Sequence, residues 1–406
     1  MICKLSDIVN TANTGADAIK KAPILNEPTN LRCLRIGDVS QKRDFSMWGY
    51  TKTSKMDYER YKLHKGDSII ARTGNTIGVC TYIEDDIESV YNNGLIRLTA
   101  KKELARERFL FYLIRSTACQ DYIQSIAYGT STQPNMKIKD FLNFDIIVPT
   151  LEIQDKIIAI VDKIEKKIQV NTEINNNLEQ QAQAIFKSWF VDFEPFGGVQ
   201  PPEMKFVPLQ ELCKVVTKGT TPTTLGKPFT SSGINFIKAE SILDSHSIDS
   251  SKFAFIDEET NALLKRSIIK ANDIVFTIAG TLGRFAMVDN SVLPANTNQA
   301  VAIIRPDENK VTPAYLYSFF IGNWHNEYYS KRIQQAVQAN LSLTTIKSLP
   351  IAVLSNTTMN DYDELVSPLF ALMKGNEEEN RRLSELRDTL LPKLMSGELD
   401  VSDIDL

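Results

Sequence analysis

Histidine, paired cysteine and long apolar runs are all missing or sparse in this 406-residue chain, and each scarcity removes a class of function. The three histidines, His64, His246 and His325, stand far apart without the spacing of metal ligands or of a catalytic pair. The five cysteines, Cys3, Cys33, Cys80, Cys119 and Cys213, are odd in number and contain no Cys-x-x-Cys, which argues against a disulfide framework or a zinc ribbon and fits the reducing cytoplasm. No run approaches the roughly 18 apolar residues of a membrane span. The start Met1-Ile2-Cys3-Lys4-Leu5-Ser6-Asp7 lacks a charged segment followed by an apolar one, so neither insertion nor secretion is expected.

Nucleotide and catalytic motifs are equally hard to find. Gly219 to Lys227 ends in Gly226-Lys227-Pro228, but six residues separate its glycines and proline replaces the magnesium-binding hydroxyl of a phosphate loop. Pro306-Asp307-Glu308-Asn309-Lys310 holds the letters of a nuclease set, yet they are adjacent, whereas metal-dependent cleavage needs carboxylates converging from separate strands; a turn is expected there. No glycine-rich dinucleotide fingerprint is present, and no Asn-Pro-Pro-aromatic element of the kind amino-methyltransferases carry. Binding rather than catalysis is expected, with no metal and no cofactor in this chain.

What the chain does contain is itself, twice. The second half restates the first at an offset of about 205 residues. Gly15 falls on Gly219; Gly66-Asp67-Ser68-Ile69-Ile70 with Gly74 and Gly78 falls on Asn272-Asp273-Ile274-Val275-Phe276 with Gly280 and Gly283. Asn135, Ile138, Phe141 and Ile146 fall on Asn340, Leu343, Ile346 and Ile351. The matches are mostly apolar positions at strand or helix spacing, so they report a shared core. With 43% hydrophobic residues the chain can bury two such cores. The net charge of −4 is unevenly spread: roughly +4 over residues 1–150 and +3 over 205–353, against roughly −3 and −7 for the two segments that follow them.

Those two segments read as long helices. Ile157, Val161, Ile164, Ile168, Ile174 or Asn175, Leu178, Ala182, Ile185 and Trp189 keep a three-four rhythm from about Glu152 to Phe193, a length of roughly 60 Å. Pro195-Phe196-Gly197-Gly198 and Pro201-Pro202 then break the chain. Leu365, Leu369, Leu372, Asn376, Leu383, Leu386, Leu390 and Leu394 repeat the rhythm until Ser396-Gly397. Asn376 occupies the place of Asn171, and a polar residue at one seam position fixes helix register, so the two helices are expected to pack on each other. Each globular part mixes strands (residues 68–71, 78–83, 95–98, 273–276 and 300–304) with helices over Glu107 to Ile126 and Pro313 to Val337. The expected fold is therefore α/β, two pseudo-repeated α/β domains joined by two long helices in an antiparallel coiled coil. Its boundaries are 1–150, 151–196 for the central helix, 197–204 for a linker, 205–353, 354–397 for the C-terminal helix and 398–406 for a tail.

Polar, amide-rich loops recur at equivalent places in both copies. In the first they carry Arg72, Asn75, Thr76, Tyr91, Asn92, Asn93, Thr130, Ser131, Thr132, Gln133, Asn135 and Lys137. In the second they carry Lys218, Thr220, Thr221, Lys238, Thr281, Arg284, Asn296, Thr297, Asn298, Gln299, Gln335, Gln338 and Asn340. Asparagine and glutamine can pair with adenine edges, and arginine or lysine with guanine or phosphate, so these loops are candidates for contacting DNA. Each residue singly is as well explained as a turn former; the paired recurrence is what favours readout.

Three segments carry a family resemblance: Pro149-Thr150-Leu151-Glu152-Ile153-Gln154 leading into Ile157 and Ile160, Gln183-Ala184-Ile185-Phe186-Lys187-Ser188-Trp189-Phe190, and the tail from Leu383 through Leu394-Met395-Ser396-Gly397-Glu398-Leu399. Over nearly its whole length the chain resembles the DNA-specificity (S) subunit of a type I restriction-modification system. The resemblance implies two target-recognition domains, each reading one half of a split double-stranded DNA site, and helices that dock two methyltransferase subunits. It further implies S-adenosylmethionine on those partners and restriction subunits in the full complex. Two departures stand out. Ile153 splits the usual Glu-Gln pair, and Leu354-Ser355-Asn356-Thr357-Thr358 replaces the Pro-x-x-Glu-Gln helix entrance, so the second long helix is expected to begin bent or shortened. The competing reading is a coiled-coil scaffold that binds proteins without reading DNA.

Overall fold

The computed structural model describes residues 2–127, 134–324 and 341–404. The chain forms two compact units, the first from Met1–Ile168 with Arg381–Leu406 and the second from Gln169–Asn380. Each unit thus holds one globular domain and a stretch of both long helices.

In the first unit the strands are β1 (Ile2–Lys4), β2 (Val9–Thr14), β3 (Arg32–Leu34), β4 (Gly49–Tyr50), β5 (Ser68–Ala71), β6 (Cys80–Tyr82), β7 (Ser89–Tyr91), β8 (Leu95–Ala100) and β9 (Asp145–Ile147). They make sheets ordered β2-β8-β5-β6, β4-β3-β7 and β1-β9. The second unit contains β10 (Lys205–Pro208), β11 (Cys213–Lys218), β12 (Ile234–Ile237), β13 (Ala254–Ile256), β14 (Ile274–Thr277), β15 (Phe285–Met287), β16 (Ala295–Thr297), β17 (Val301–Pro306) and β18 (Pro350–Val353). Its sheets run β11-β17-β14-β15, β13-β12-β16 and β10-β18, the same order strand for strand. Even the irregularities recur: β2 shifts register against β8 between Val9 and Thr11, and β11 shifts against β17 between Cys213 and Val215. The β3–β7 and β12–β16 pairs are both parallel. The duplication read from apolar spacing is a duplication of topology.

The turn before β5 and before β14 shows why the shared Asp recurs. Asp67 accepts the His64 N–H at 2.8 Å and Asp273 the Lys270 N–H at 2.8 Å, and both carboxylates are buried. A buried carboxylate needs a cation. Arg97 supplies it in the first unit at 3.8 Å; in the second, Arg305 donates twice to Asp273, both at 2.7 Å. Pro306–Lys310 forms a turn, with Lys310 N–H donating to Asp307 O at 2.7 Å.

The long helices span Leu151–Phe190 and Asn356–Ser396, 40 and 41 residues. The second is therefore not shortened: the Ser355 hydroxyl accepts the Thr358 N–H at 3.3 Å and caps the helix that the unusual entrance was expected to bend or shorten. Within each unit the two helices run antiparallel. In the second, Asn171 donates to Glu379 at 2.7 Å and to Asn380 at 2.9 Å, while four residues further on Asn175 donates to the Met373 carbonyl at 3.0 Å and accepts from Asn376 at 2.8 Å. In the first, Glu165 accepts from Arg387 at 3.2 Å and Lys156 bonds the Ser402 carbonyl.

The seam departs from the leucine rhythm. Ile157, Val161, Ile164, Asn171, Leu178 and Ala182 are buried, but the helix then steps to Phe186 and Phe190 rather than to Ile185 and Trp189, and at the ambiguous position Asn175, not the 39% exposed Ile174, faces inward. On the other helix Tyr362, Val366, Met373, Asn376, Leu391 and Leu394 are buried, whereas Leu365, Leu372 and Leu386 are 48%, 51% and 46% exposed. The reason is the neighbouring domain. Phe186 and Phe190 stack at 4.9 Å and meet Tyr315 and Tyr362 of the second core, and those rings set the phase of both helices there. The helix expected over Glu107 to Ile126 is two, Glu107–Arg115 and Thr117–Ala127, parted at Ser116; that expected over Pro313 to Val337 ends at Ile321, before a turn at Gly322 and Asn323, and residues 325–337 lie outside the described residues.

In the first unit the domain is seated on the helices by charge. Gln154, fully buried, accepts the Arg106 N–H at 2.8 Å and donates to the Leu104 and Pro149 carbonyls at 2.9 and 3.0 Å. Arg106 grips Asp155 through two bonds of 2.8 Å, Arg108 reaches Asp162 at 2.9 Å, and Glu165 lies between Arg115 and Arg387. Burial works against ionisation of Glu165, but the two guanidiniums outweigh it and hold its carboxyl below the usual carboxylate range.

Two outcomes follow from this seat. Gln154→Ala strands three backbone groups and should lower unfolding free energy by about 3 kcal/mol in urea titrations. Because Glu165 has a folded-state pKa below its unfolded value, its contribution is present above the unfolded pKa and is lost as pH falls through the folded one. Glu165→Gln should cost about 2 kcal/mol near pH 7 and reduce the acid-side fall in stability, measured by thermal unfolding across pH.

Candidate nucleic-acid interface

One glycine in each unit lets two chain segments meet. Gly15 follows β2, and a β-carbon there would stand 2.2 Å from the Tyr91 carbonyl oxygen and 2.4 Å from that of Asn92; Gly219 follows β11, with the Thr297 and Asn298 oxygens at 1.9 and 2.6 Å from the same point. No side chain fits between such backbones. The contact draws the loop after β2 or β11 onto the turn before β8 or β17: Ala16 N–H donates to Tyr91 O at 2.8 Å and Thr220 N–H to Thr297 O at 3.2 Å. A third segment joins the same way in both. Arg72 N–H donates to Gly94 O at 2.9 Å and Met136 N–H to Arg72 O at 2.8 Å, as Ile278 N–H donates to Ala300 O at 2.8 Å and Leu341 N–H to Ile278 O at 2.9 Å. Each unit therefore presents a rim of three loops on one common backbone frame.

The side chains on the two rims differ. In the first unit Asn75, Asn93, Asn135 and Lys137 are exposed and Arg72, Thr76 and Asn92 half-buried; Arg72 donates to the Asn135 side-chain oxygen at 3.0 Å, and the Asn92 side-chain oxygen is buried without a partner among the described residues. In the second, Lys218, Thr281 and Gln299 are exposed, and the Thr221 hydroxyl pairs with Gln299. Arg266 donates to the Thr220 hydroxyl at 3.2 Å, and the Asn298 side chain folds back onto the Ala300 N–H at 3.0 Å. Arg284 is committed to Asp244 through two bonds of 2.6 Å, and Lys238 lies 3.8 Å from Glu240 with its ammonium 5.2 Å from the centre of the Phe229 ring.

Three expected contact residues are instead interior. Tyr91 is fully buried, its hydroxyl donating to the Asn13 carbonyl at 3.2 Å, and burial pushes that hydroxyl up to about 12. Asn296 is buried and donates to Asn261 at 2.8 Å, and the buried Thr297 hydroxyl donates to the Ile237 carbonyl at 2.6 Å. Their polar groups serve the strand ends, because a polar atom sealed from water must be paired inside. Thr130, Ser131, Thr132, Gln133, Gln335, Gln338 and Asn340 lie outside the described residues. Arg266, which no motif marks, joins the second rim only because folding brings it to Thr220. Among the described residues no group of three or more His, Cys, Asp or Glu is placed to hold a metal, and no helix is long and apolar enough to cross a membrane.

Residues 1–180 and 201–354 match the type I restriction modification DNA specificity domain. The chain belongs to this family. It is a specificity subunit, not an enzyme, and the two matched segments cover the two repeated domains. It is 25% identical over 414 residues to the HindI specificity subunit of Haemophilus influenzae, spanning 83% of this chain and 87% of that one. Against the MjaIX specificity subunit of Methanocaldococcus jannaschii it is 25% identical over 328 residues, 77% and 73% of the two chains. The crystal structure of a type I S subunit from M. genitalium superposes over 99% of this chain and 96% of its own, with a TM-score of 0.55 at 15% identity, a likeness of fold.

The glycine contact is testable. Gly219→Ala must push the Thr297 backbone aside and should cost about 2 kcal/mol or more in urea unfolding of the full chain. Gly375→Ala, on a helix surface with open space around it, should be neutral or stabilising by up to about 1 kcal/mol.

Proposed function

We propose that this specificity subunit reads a split, asymmetric double-stranded DNA site, one half with the rim of residues 1–150 and the other with the rim of 205–353, in the cytoplasm. The observation that carries the reading is the common backbone frame bearing different side chains: the frame offers the same grip twice, and the changed residues require the two halves to differ in sequence. DNA presents equivalent groove faces about 34 Å apart, so two readers held on long helices suit half-sites separated by unread base pairs. The basic balance of both domains, against acidic helices, favours polyanion binding at the rims.

The long helices would dock two methyltransferase subunits, which bring S-adenosylmethionine and transfer its methyl group to adenine, with restriction subunits joining the full complex. Val170, Ile174, Leu365, Leu372 and Leu386 support this, because they stand 38–51% exposed and take no part in the helix seam.

Sequencing of methylated adenines in cells carrying this chain and its methyltransferase should yield one bipartite, non-palindromic motif. Inserting four residues near Asn177, about one helical turn, should change the number of unread bases between the halves while leaving both halves intact. An unchanged gap sinks the spacer role, and a methylase that fails to co-purify with the chain sinks the docking role.

A further inference from the structure

Arg72 is held in a way that suits reading rather than gripping. Its backbone is pinned on both sides, by its own N–H on the Gly94 carbonyl at 2.9 Å and by its carbonyl under the Met136 N–H at 2.8 Å. Its guanidinium is pinned as well: Nη2 donates to the Asn135 side-chain oxygen at 3.0 Å, and Nε is buried, with no partner among the described residues. What remains available is the Nη1–Nη2 edge, a planar fork of two donors. Guanine offers two coplanar acceptors, O6 and N7, in the major groove, whereas adenine sets a donor where the second acceptor should be.

The repeat separates base from phosphate. Ile278 occupies the same place in the second unit, with the same two backbone bonds, but its side chain is only 3% exposed. A phosphate grip serves any sequence and is needed by both domains. A side chain that changes while its frame is kept belongs to the address. We infer that Arg72 is a specificity-determining residue that reads a guanine in the half-site of the first domain, with Asn135 as its positioning residue. Asn135 itself then reads no adenine, because its acceptor oxygen is engaged by Arg72. The inference rests on the DNA reading proposed above.

The experiment uses the full chain co-expressed with its methyltransferase, and methylated-adenine sequencing of wild type, Arg72→Lys, Arg72→Ala and Asn135→Ala. Wild type should show guanine at one position of the first half-site. Arg72→Lys and Arg72→Ala should both lose guanine preference there by at least about fivefold, with the second half-site unchanged, since lysine keeps the charge but not the fork. Asn135→Ala should loosen the same position to a smaller degree. A motif unaltered in Arg72→Ala overturns the inference while leaving the bipartite reading standing. So does an unaltered motif in Arg72→Lys with uniformly weaker methylation in Arg72→Ala, the signature of a phosphate contact. A wild-type methylome without any bipartite motif overturns both. Circular dichroism of the purified full-length variants checks folding, and if Arg72→Ala unfolds, Arg72→Lys and Asn135→Ala decide the question.

Discussion

The layer of asparagines in the helix seam is the constraint on which the helix pairing depends. Asn171 meets Asn380 and Asn175 meets Asn376, and at an offset of about 205 residues each member of one pair maps onto a member of the other. The contact is therefore its own repeat. A seam of leucine and isoleucine alone would tolerate sliding by a heptad, because apolar contacts are not directional. Sliding this seam would bury four amides against hydrocarbon, which costs far more than the layer does in its proper register. Asn171 is fully buried with its oxygen without a partner among the described residues, so the layer contributes register at the expense of stability.

The two domains share a frame but are attached to the helices by different chemistry. The first is seated through Arg106, Arg108 and Arg115 against Asp155, Asp162 and Glu165, with Arg387 closing the network. The second is seated through Phe186, Phe190, Trp189, Tyr315 and Tyr362, whose rings stand 4.9–6.4 Å apart where they touch. Partly exposed ion pairs weaken in salt, whereas ring packing does not. The same duplication thus holds its two halves with unequal sensitivity to the medium, a difference visible in sequence as Glu165 standing where the repeat has Phe370, and Arg106, Arg108 and Arg115 where it has Thr312, Ala314 and Ile321.

Leu365, Leu372 and Leu386 keep a heptad rhythm yet face outward, because several phases of a leucine-rich helix are nearly equivalent until a partner chooses one. Tyr91, Asn296 and Thr297 share the composition of a binding loop but lie at strand ends inside the core. Polar residues that satisfy a buried backbone and polar residues that face a ligand are the same residues in one dimension.

The amino-acid order by itself determined the duplication, the two long helices and their breaks, the recurrence of Asn171 as Asn376 and the scarcity of catalytic groups, since all of these are written in local spacing and composition. It also determined Gly15 and Gly219 as equivalent, though not what they are for. Only the tertiary structure decided that both glycines admit a carbonyl, that Arg266 reaches Thr220, and that Arg72 and Asn135, 63 residues apart, form one unit. Those facts depend on which distant backbones come within hydrogen-bond range, and no local period encodes that.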